Sequence, residues 1–371
     1  MDGGITILAP SNAAFENIPN TVLGSVWNAN DSKVAVPLML YHVLPTQLSM
    51  ATLPADQVHA TTLLTDPAWT SLSGGQGVLV DKQPGNLVVL VSGGGARSVL
   101  KAVDIPFRGG LVQVLDNLLV PPGSLNATLA AFQDLAFLGA LYAAGLYGEV
   151  ASNGTSSGQN YTFFAPSVPG LQVVNGTLSN LTAAQLRRVM EYHVVPSMVL
   201  PSTSLENGTE YPTLLKGGPP VHVHRAGNNV YVNSAQVVQS DILLDNGILH
   251  ILDNALSPDA PSAAPYANVS GPQPPVFAGA VNASTMVVTA LPFTTALPCT
   301  VGCPPPSVAT ASAGANNISI SSVGAIVSGN GTRSSTASSM STSSSIAEAA
   351  VLPTGLGILG AVAFGVIGLA L

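Results

Sequence analysis

The 371-residue sequence predicts an α+β protein of two homologous domains followed by a disordered stalk. Three observations predict it. A set of short blocks occurs twice in the same order, the apolar spacing inside each copy changes between helical and strand-like periods, and past Asp259 that spacing gives way to Pro, Ser, Thr, Ala and Gly.

The blocks come first. ITILAPS, Ile5 to Ser11, is matched by YTFFAPS, Tyr161 to Ser167; YHVLP, Tyr41 to Pro45, by YHVVP, Tyr192 to Pro196; and GGLVQVLDNLL, Gly109 to Leu119, by NGILHILDNAL, Asn246 to Leu256. Between the last two pairs, Thr61 to Leu64 lines up with Pro212 to Leu215 and Val103-Asp104-Ile105 with Ser240-Asp241-Ile242. Anchors that keep their order define two domains, placed at residues 1–122 and 123–258.

Each copy opens on a short apolar strand that Ala-Pro-Ser stops, because Pro cannot continue a central ladder and Ser can cap a helix. In the second copy LTAAQLRRVMEYH sets Leu186, Val189, Met190 and His193 on one helical face behind the N-cap Thr182. VHVHRAGNNVYVN then reads as two strands around a turn, and ILHIL as the closing strand. Ahead of the second copy, Asn126 to Val150 carries an apolar stripe at helical spacing, predicting one or two helices. Nothing equivalent stands ahead of Ile5, and MDGGITILAPS has neither a basic n-region nor an h-region, so the first domain is expected to lack its leading helices and a signal peptide. The run SGGGARS, Ser92 to Ser98, lacks the Gly-Lys-Ser/Thr ending of a phosphate loop and is expected to be a loose surface connection.

Composition limits the functions open to the chain. Charged residues make up 8% and hydrophobic ones 47%, and the formal charge of −8 leaves no basic patch to condense a phosphate backbone, which excludes nucleic acid as a partner. Solubility must come from elsewhere. Asn-x-Ser/Thr triplets begin at Asn30, Asn126, Asn153, Asn160, Asn175, Asn180, Asn207, Asn268, Asn282, Asn317 and Asn330, the density of an exported glycoprotein. Cys299 and Cys303 are close enough for a local loop disulfide in an oxidising compartment, and no further ligands stand nearby for a metal.

Residues 259–350 cannot bury enough apolar surface to offset their ordering entropy, which predicts an extended, glycosylated stalk. Residues 351–371 are apolar enough to cross a bilayer, yet no Lys or Arg follows them. Small residues, a polar spacer and an apolar tail form the layout of a glycosylphosphatidylinositol attachment signal, with the attachment residue between Ser338 and Ser345; a tail-anchored helix is the other reading.

Taken together, the Thr-x-x-Ala-Pro opening, the central Tyr-His with its following Pro (Tyr41-His42 and Tyr192-His193), the Asp-Ile pairs Asp104-Ile105 and Asp241-Ile242, and the Gly-x-x-His-x-x-Asp closing block with His250 resemble the fasciclin domain. The likeness covers residues 3–122 and 125–258. It implies that each domain is a β-sandwich wedge with packed helices, and that tandem copies on a lipid anchor serve cell adhesion or association with matrix or wall. The first copy departs from the motif, with Gln113 in place of the histidine.

That replacement weighs on the chemistry. An amide donates and accepts hydrogen bonds but cannot titrate near neutrality, so in the first domain no reaction can depend on this position. His42 and His193 have no Cys, Ser or acidic partner at a catalytic spacing and read as packed core imidazoles. His222 and His224, two apart on a strand, have the spacing of a two-histidine metal site, but a third ligand is not evident in the sequence. The Asp-Ile pairs match a motif that the resemblance ties to integrin-type recognition; against this, Asp accepts backbone hydrogen bonds and Ile packs in many cores. No Gly-x-Ser-x-Gly, His-Glu-x-x-His or dinucleotide fingerprint occurs. The expectation is a binding protein, not an enzyme, without cofactor or metal, whose partners are cell-surface, matrix or cell-wall components and, through a lipid anchor, the membrane. The alternative is a surface protein that binds a small apolar ligand in a groove between sheet and helices.

Overall fold

A computed structural model of the chain describes residues 4–151, 160–267, 269, 271–281 and 291–298. The first repeat runs β1 (Ile5–Pro10), α1 (Asn12–Glu16), α2 (Ser32–Tyr41), β2 (Val43–Leu44), β3 (Val58–Thr61), β4 (Gly77–Gln83), β5 (Leu87–Val91), β6 (Arg97–Phe107) and β7 (Gly110–Leu115). The second begins with α3 (Leu125–Ala131), α4 (Leu135–Ala143) and α5 (Tyr147–Val150). It continues as β8 (Tyr161–Pro166), α6 (Val168–Leu178), α7 (Ala183–Glu191), β9 (Val194–Pro196), β10 (Glu210–Tyr211), β11 (Val221–Ala226), β12 (Asn229–Val232), β13 (Ala235–Leu244) and β14 (Gly247–Leu252).

The repeated blocks recur because they pair. In each repeat the opening strand lies parallel to the closing one, β1 on β7 with Ile5 opposite Gly110, and β8 on β14 with Tyr161 opposite Gly247. A Cβ on Gly110 would stand 1.8 Å from the Ile5 carbonyl oxygen, and one on Gly247 would stand 1.9 Å from that of Tyr161. The glycine at the head of the closing block is thus fixed by the approach of the opening strand. Seven strands follow the same order in both sheets, β2-β1-β7-β6-β5-β4-β3 and β9-β8-β14-β13-β12-β11-β10. The long strands β6 and β13 carry register shifts at matching places, and such irregularities bend a strand, so each sheet closes on itself into a barrel-like wedge with helices packed against it.

Capping follows the sequence. Ser11 and Ser167 accept from the backbone N–H three residues on, and Thr182 with Gln185 forms a reciprocal capping box at the start of α7. The apolar stretch before β8 makes three helices where the periodicity predicts one or two, because Gln133 at φ +60° and Gly145 at φ +63° turn the chain into the left-handed region between them.

Two expectations change. Ser92 to Ser98 is no loose connection: Ser92 is buried, its amide donates to Ala96, its hydroxyl accepts from the Val120 amide, and the Gly93 amide donates to the Val120 carbonyl. A Cβ on Gly93 would meet Pro121 and Pro122 at 2.5 Å, so these glycines allow close packing. In the Pro-rich segment after residue 258, several of the described residues pack against the second repeat. Phe277, Ala280, Phe293 and Leu297 pack on the core of α3, α4, α6 and α7, Val281 donates to the Val173 carbonyl at 2.9 Å, and Asp259 pairs with Arg188 at 2.8 Å. Apolar side chains spaced between prolines are enough to hold this strap.

The two repeats also dock on each other. Leu79 packs against Leu243 and Ile248, and the buried Gln76 amide donates to the Leu244 carbonyl at 3.0 Å. The carbonyl of Asp245 accepts from the Thr70 hydroxyl and the Ser71 amide.

Candidate functional site

The Tyr-His pairs are structural braces. Tyr41 donates to the Gly77 carbonyl at the head of β4, and Tyr192 donates to the Pro220 carbonyl just before β11. His42 Nδ1 donates to the Leu38 carbonyl at 2.8 Å while its Nε2 accepts from the Leu119 amide at 2.9 Å. His193 repeats the arrangement with the Val189 carbonyl and the Leu256 amide, each at 2.8 Å. Both imidazoles are fixed as neutral Nδ1–H tautomers, and burial lowers each pKa from 6.5 to about 4 against the partial opposition of the backbone carbonyl.

The closing-block pair is a second brace. His250 Nε2 donates to the Leu200 carbonyl at 2.9 Å and its Nδ1 accepts from the Asp241 amide at 3.3 Å. In the first repeat, Gln113 Nε2 donates to the Leu48 carbonyl at 3.0 Å and Oε1 accepts from the Asp104 amide at 2.8 Å. Burial lowers the His250 pKa, with Asp241 and the Leu200 carbonyl opposing it.

Asp104 and Asp241 adopt left-handed backbone at φ +53° and +63°, a conformation Asp tolerates better than most residues. Asp104 accepts from the Ser49 hydroxyl and from the amides of Met50 and Ala51. Partial burial pushes this carboxyl up, but hydrogen bonds from Gln113, Met50, Ala51 and Ser49 outweigh it and hold the pKa below the usual value. Asp241 accepts from the amide and hydroxyl of Ser202. The isoleucines part ways: Ile242 is buried, and Ile105 is 43% exposed.

Beside Asp241 a polar cleft of about 300 Å³ lies between the repeats, lined by Asp56 from the first and by Ser202, Arg225, Asn229 and Ser240 from the second. Arg225 is held in place, its Nε donating to the Leu205 carbonyl at 2.6 Å and another nitrogen to the Ser202 carbonyl. None of these residues belongs to a sequence motif except Ser240, in the Ser-Asp-Ile triplet, and only the docking of the repeats brings Asp56 to the others.

His222 faces Glu210 across the β10–β11 pair, its Nδ1 3.3 Å from the carboxylate, and burial followed by the charge of His222 lowers the pKa of His224. Among the described residues no three His, Cys, Asp or Glu side chains gather where they could share a metal ion. Of the sequons, Asn30, Asn126, Asn180 and Asn207 are exposed, Asn160 and Asn175 are half-buried, and Asn153, Asn268, Asn282, Asn317 and Asn330 lie outside the described residues. So do Cys299, Cys303 and residues 351–371, and among the described residues no helix is long and apolar enough to cross a membrane.

The fasciclin-domain family model matches residues 1–121 and again 135–258. The chain belongs to the fasciclin family. It is similar to a fasciclin-like arabinogalactan protein of Arthroderma benhamiae, 31% identical over 76% of this chain and 65% of that protein, so it spans just under two thirds of that relative's length. The fasciclin-like arabinogalactan protein elcF of Phaeosphaeria nodorum is 26% identical over 69% of this chain and 78% of its own. A solved fasciclin domain pair from the insect cell adhesion molecule Fasciclin I covers 68% of this chain and 88% of its own at 16% identity and a TM-score of 0.34.

Proposed function

We propose that this fasciclin protein acts by binding, as a glycosylated surface protein in cell adhesion or cell-wall and matrix association. The observation that carries the reading is the fate of the buried motif histidines. His42, His193 and His250 commit both ring nitrogens to backbone groups, leaving no nitrogen for proton transfer or metal. The polar cleft between the repeats, with a fixed guanidinium, a carboxylate and hydroxyls, suits a hydroxyl-rich or charged surface partner. In this reading the sequons carry glycans, the rest of residues 259–350 is a stalk, and residues 351–371 direct attachment of a lipid anchor. The test is release of the native protein from cell membranes by phosphatidylinositol-specific phospholipase C, followed by sedimentation of the released protein with isolated wall polymer. Protein that stays on the membrane and carries an intact Leu371 terminus rejects the anchor; released protein that fails to sediment with wall or bind cells rejects the adhesive role.

A second reading rests on another observation. A cleft of about 710 Å³ between α6 and the strap is lined by Val173, Val238, Phe277, Val281 and several prolines, a size and lining that suit a small apolar ligand. It requires a ligand that co-purifies and raises the melting temperature.

A further inference from the structure

Gln273 of the strap is held on three sides. Its backbone amide donates to Asp253 Oδ2 at 2.7 Å, its backbone carbonyl accepts from Asn254 Nδ2, and its side-chain Oε1 accepts from the Tyr266 amide at 2.8 Å. The bond from Tyr266 fixes which way the side-chain amide points, because the reversed amide would set two N–H groups against each other. Gln273 is only 2% exposed, yet its Nε2 is buried without a hydrogen-bond partner among the described residues. A buried donor without an acceptor is uncommon and costs the fold stability. Gln273 also lines the cleft between α6 and the strap, together with Val173, Val238, Phe277 and Val281. Pro272, Pro274 and Pro275 flank it and restrict the backbone that presents it, so the donor is preorganised. The first repeat uses the same motif differently. Asp116 Oδ1 accepts from the Val99 amide as Asp253 Oδ1 accepts from that of Gln236, but Asn117 pairs with Asn17, whereas Asn254 and the second oxygen of Asp253 hold the strap.

We infer that this cleft takes a neutral apolar molecule with a carbonyl oxygen, which accepts a hydrogen bond from Gln273 Nε2. The inference rests on the reading of the cleft as a ligand site and adds what the site selects. Apolar walls bury the body of such a molecule, and the single donor orients its oxygen. A hydrocarbon leaves Nε2 buried and unpaired. A carboxylate meets Asp253, whose own carboxyl burial already pushes above its usual value against hydrogen bonds from Gln273, Gln236 and Asn254. A site built to hydrogen-bond one oxygen rejects the analogue that lacks it.

The probe is Prodan, a neutral dimethylaminonaphthalene with a ketone carbonyl whose emission responds to its surroundings, titrated into the intact chain beside the same naphthalene without the ketone. Saturable binding of Prodan is expected. Val238→Trp should weaken it, since this lining position is 55% exposed and tolerates an indole that fills the cleft. Gln273→Met keeps the length and removes the donor, and is expected to weaken Prodan roughly fivefold or more while the ketone-free probe binds as well as before. A readout that needs no variant is the carbonyl stretch of bound Prodan, expected at lower frequency than in dry hydrocarbon. Equal affinity of Gln273→Met and wild type for Prodan, or a bound stretch at its hydrocarbon value, overturns the inference and leaves an apolar cleft without a working donor. Binding that Val238→Trp does not alter lies elsewhere and overturns it as well. If neither probe binds saturably, the reading of the cleft as a ligand site falls and the inference falls with it.

Discussion

Gln113 and His250 hold the same register position in their sheets and make the same two hydrogen bonds, one given to the carbonyl of a facing loop and one taken from the amide of the left-handed aspartate. The position thus requires a donor and an acceptor at fixed separation, and titration plays no part. His250→Gln is therefore expected to leave the second repeat within about 1 kcal/mol of wild type, while His250→Leu, which strands a buried N–H and a buried C=O, is expected to cost about 2–4 kcal/mol. Urea unfolding decides it, and equal losses for the two variants would refute the assignment.

The Tyr-His braces make the fold sensitive to acid. An unfolded histidine titrates near 6.5 and folded His42 and His193 near 4, so between these values the unfolded chain binds more protons and stability falls as pH is lowered. Each shift corresponds to roughly 3 kcal/mol, present above pH 6.5 and lost toward pH 4. His193→Gln keeps a donor and an acceptor but cannot titrate. Its melting temperature is expected to fall less steeply than wild type between pH 6.5 and 4.5, and parallel curves would contradict the brace.

These braces show how far the sequence could be read. Motif residues were recognisable because they are local anchors of pairing: Gly110 and Gly247 admit the opening strand, and Thr6 and Thr162 tie it by their hydroxyls to the loop after Tyr-His. The interchange of Gln113 and His250 already separated hydrogen bonding from acid–base chemistry. Contacts made by distant segments were not legible. SGGGARS looks flexible until Val120 returns to it, the Pro-rich strap looks unstructured until Phe277 and Phe293 find the second repeat, and Asp56 joins Arg225 only through docking.

Asp134 works against the histidines. It caps α4 through the Phe137 amide, and burial raises its pKa to about 7 against that hydrogen bond, so the folded state binds the extra proton between pH 3.8 and 7 and loses stability as pH rises through that window. Asp134→Asn retains a capping oxygen and removes the charge. The variant is expected to gain on the order of 2 kcal/mol over wild type at pH 8 and to lose that advantage progressively as pH falls through 7 toward 4. A stability difference independent of pH would show that the carboxyl is not held protonated.

Gln76 decides whether the repeats act as one body. It is 1% exposed, its Oε1 accepts from the Gly77 amide within the first repeat, and its Nε2 donates to the Leu244 carbonyl in the second. Gln76→Leu keeps nearly the same volume but leaves that carbonyl buried without this partner, at a cost of about 1–3 kcal/mol concentrated at the junction. Because the cleft needs Asp56 from one repeat and Arg225 from the other, loosening the junction should weaken any partner held there before either repeat unfolds. The expected result is two resolved calorimetric transitions where wild type gives overlapping ones, together with reduced binding to wall or cells at temperatures below both. If Gln76→Leu unfolds as wild type does and binds as well, the repeats are independent modules and the cleft between them is not the binding site.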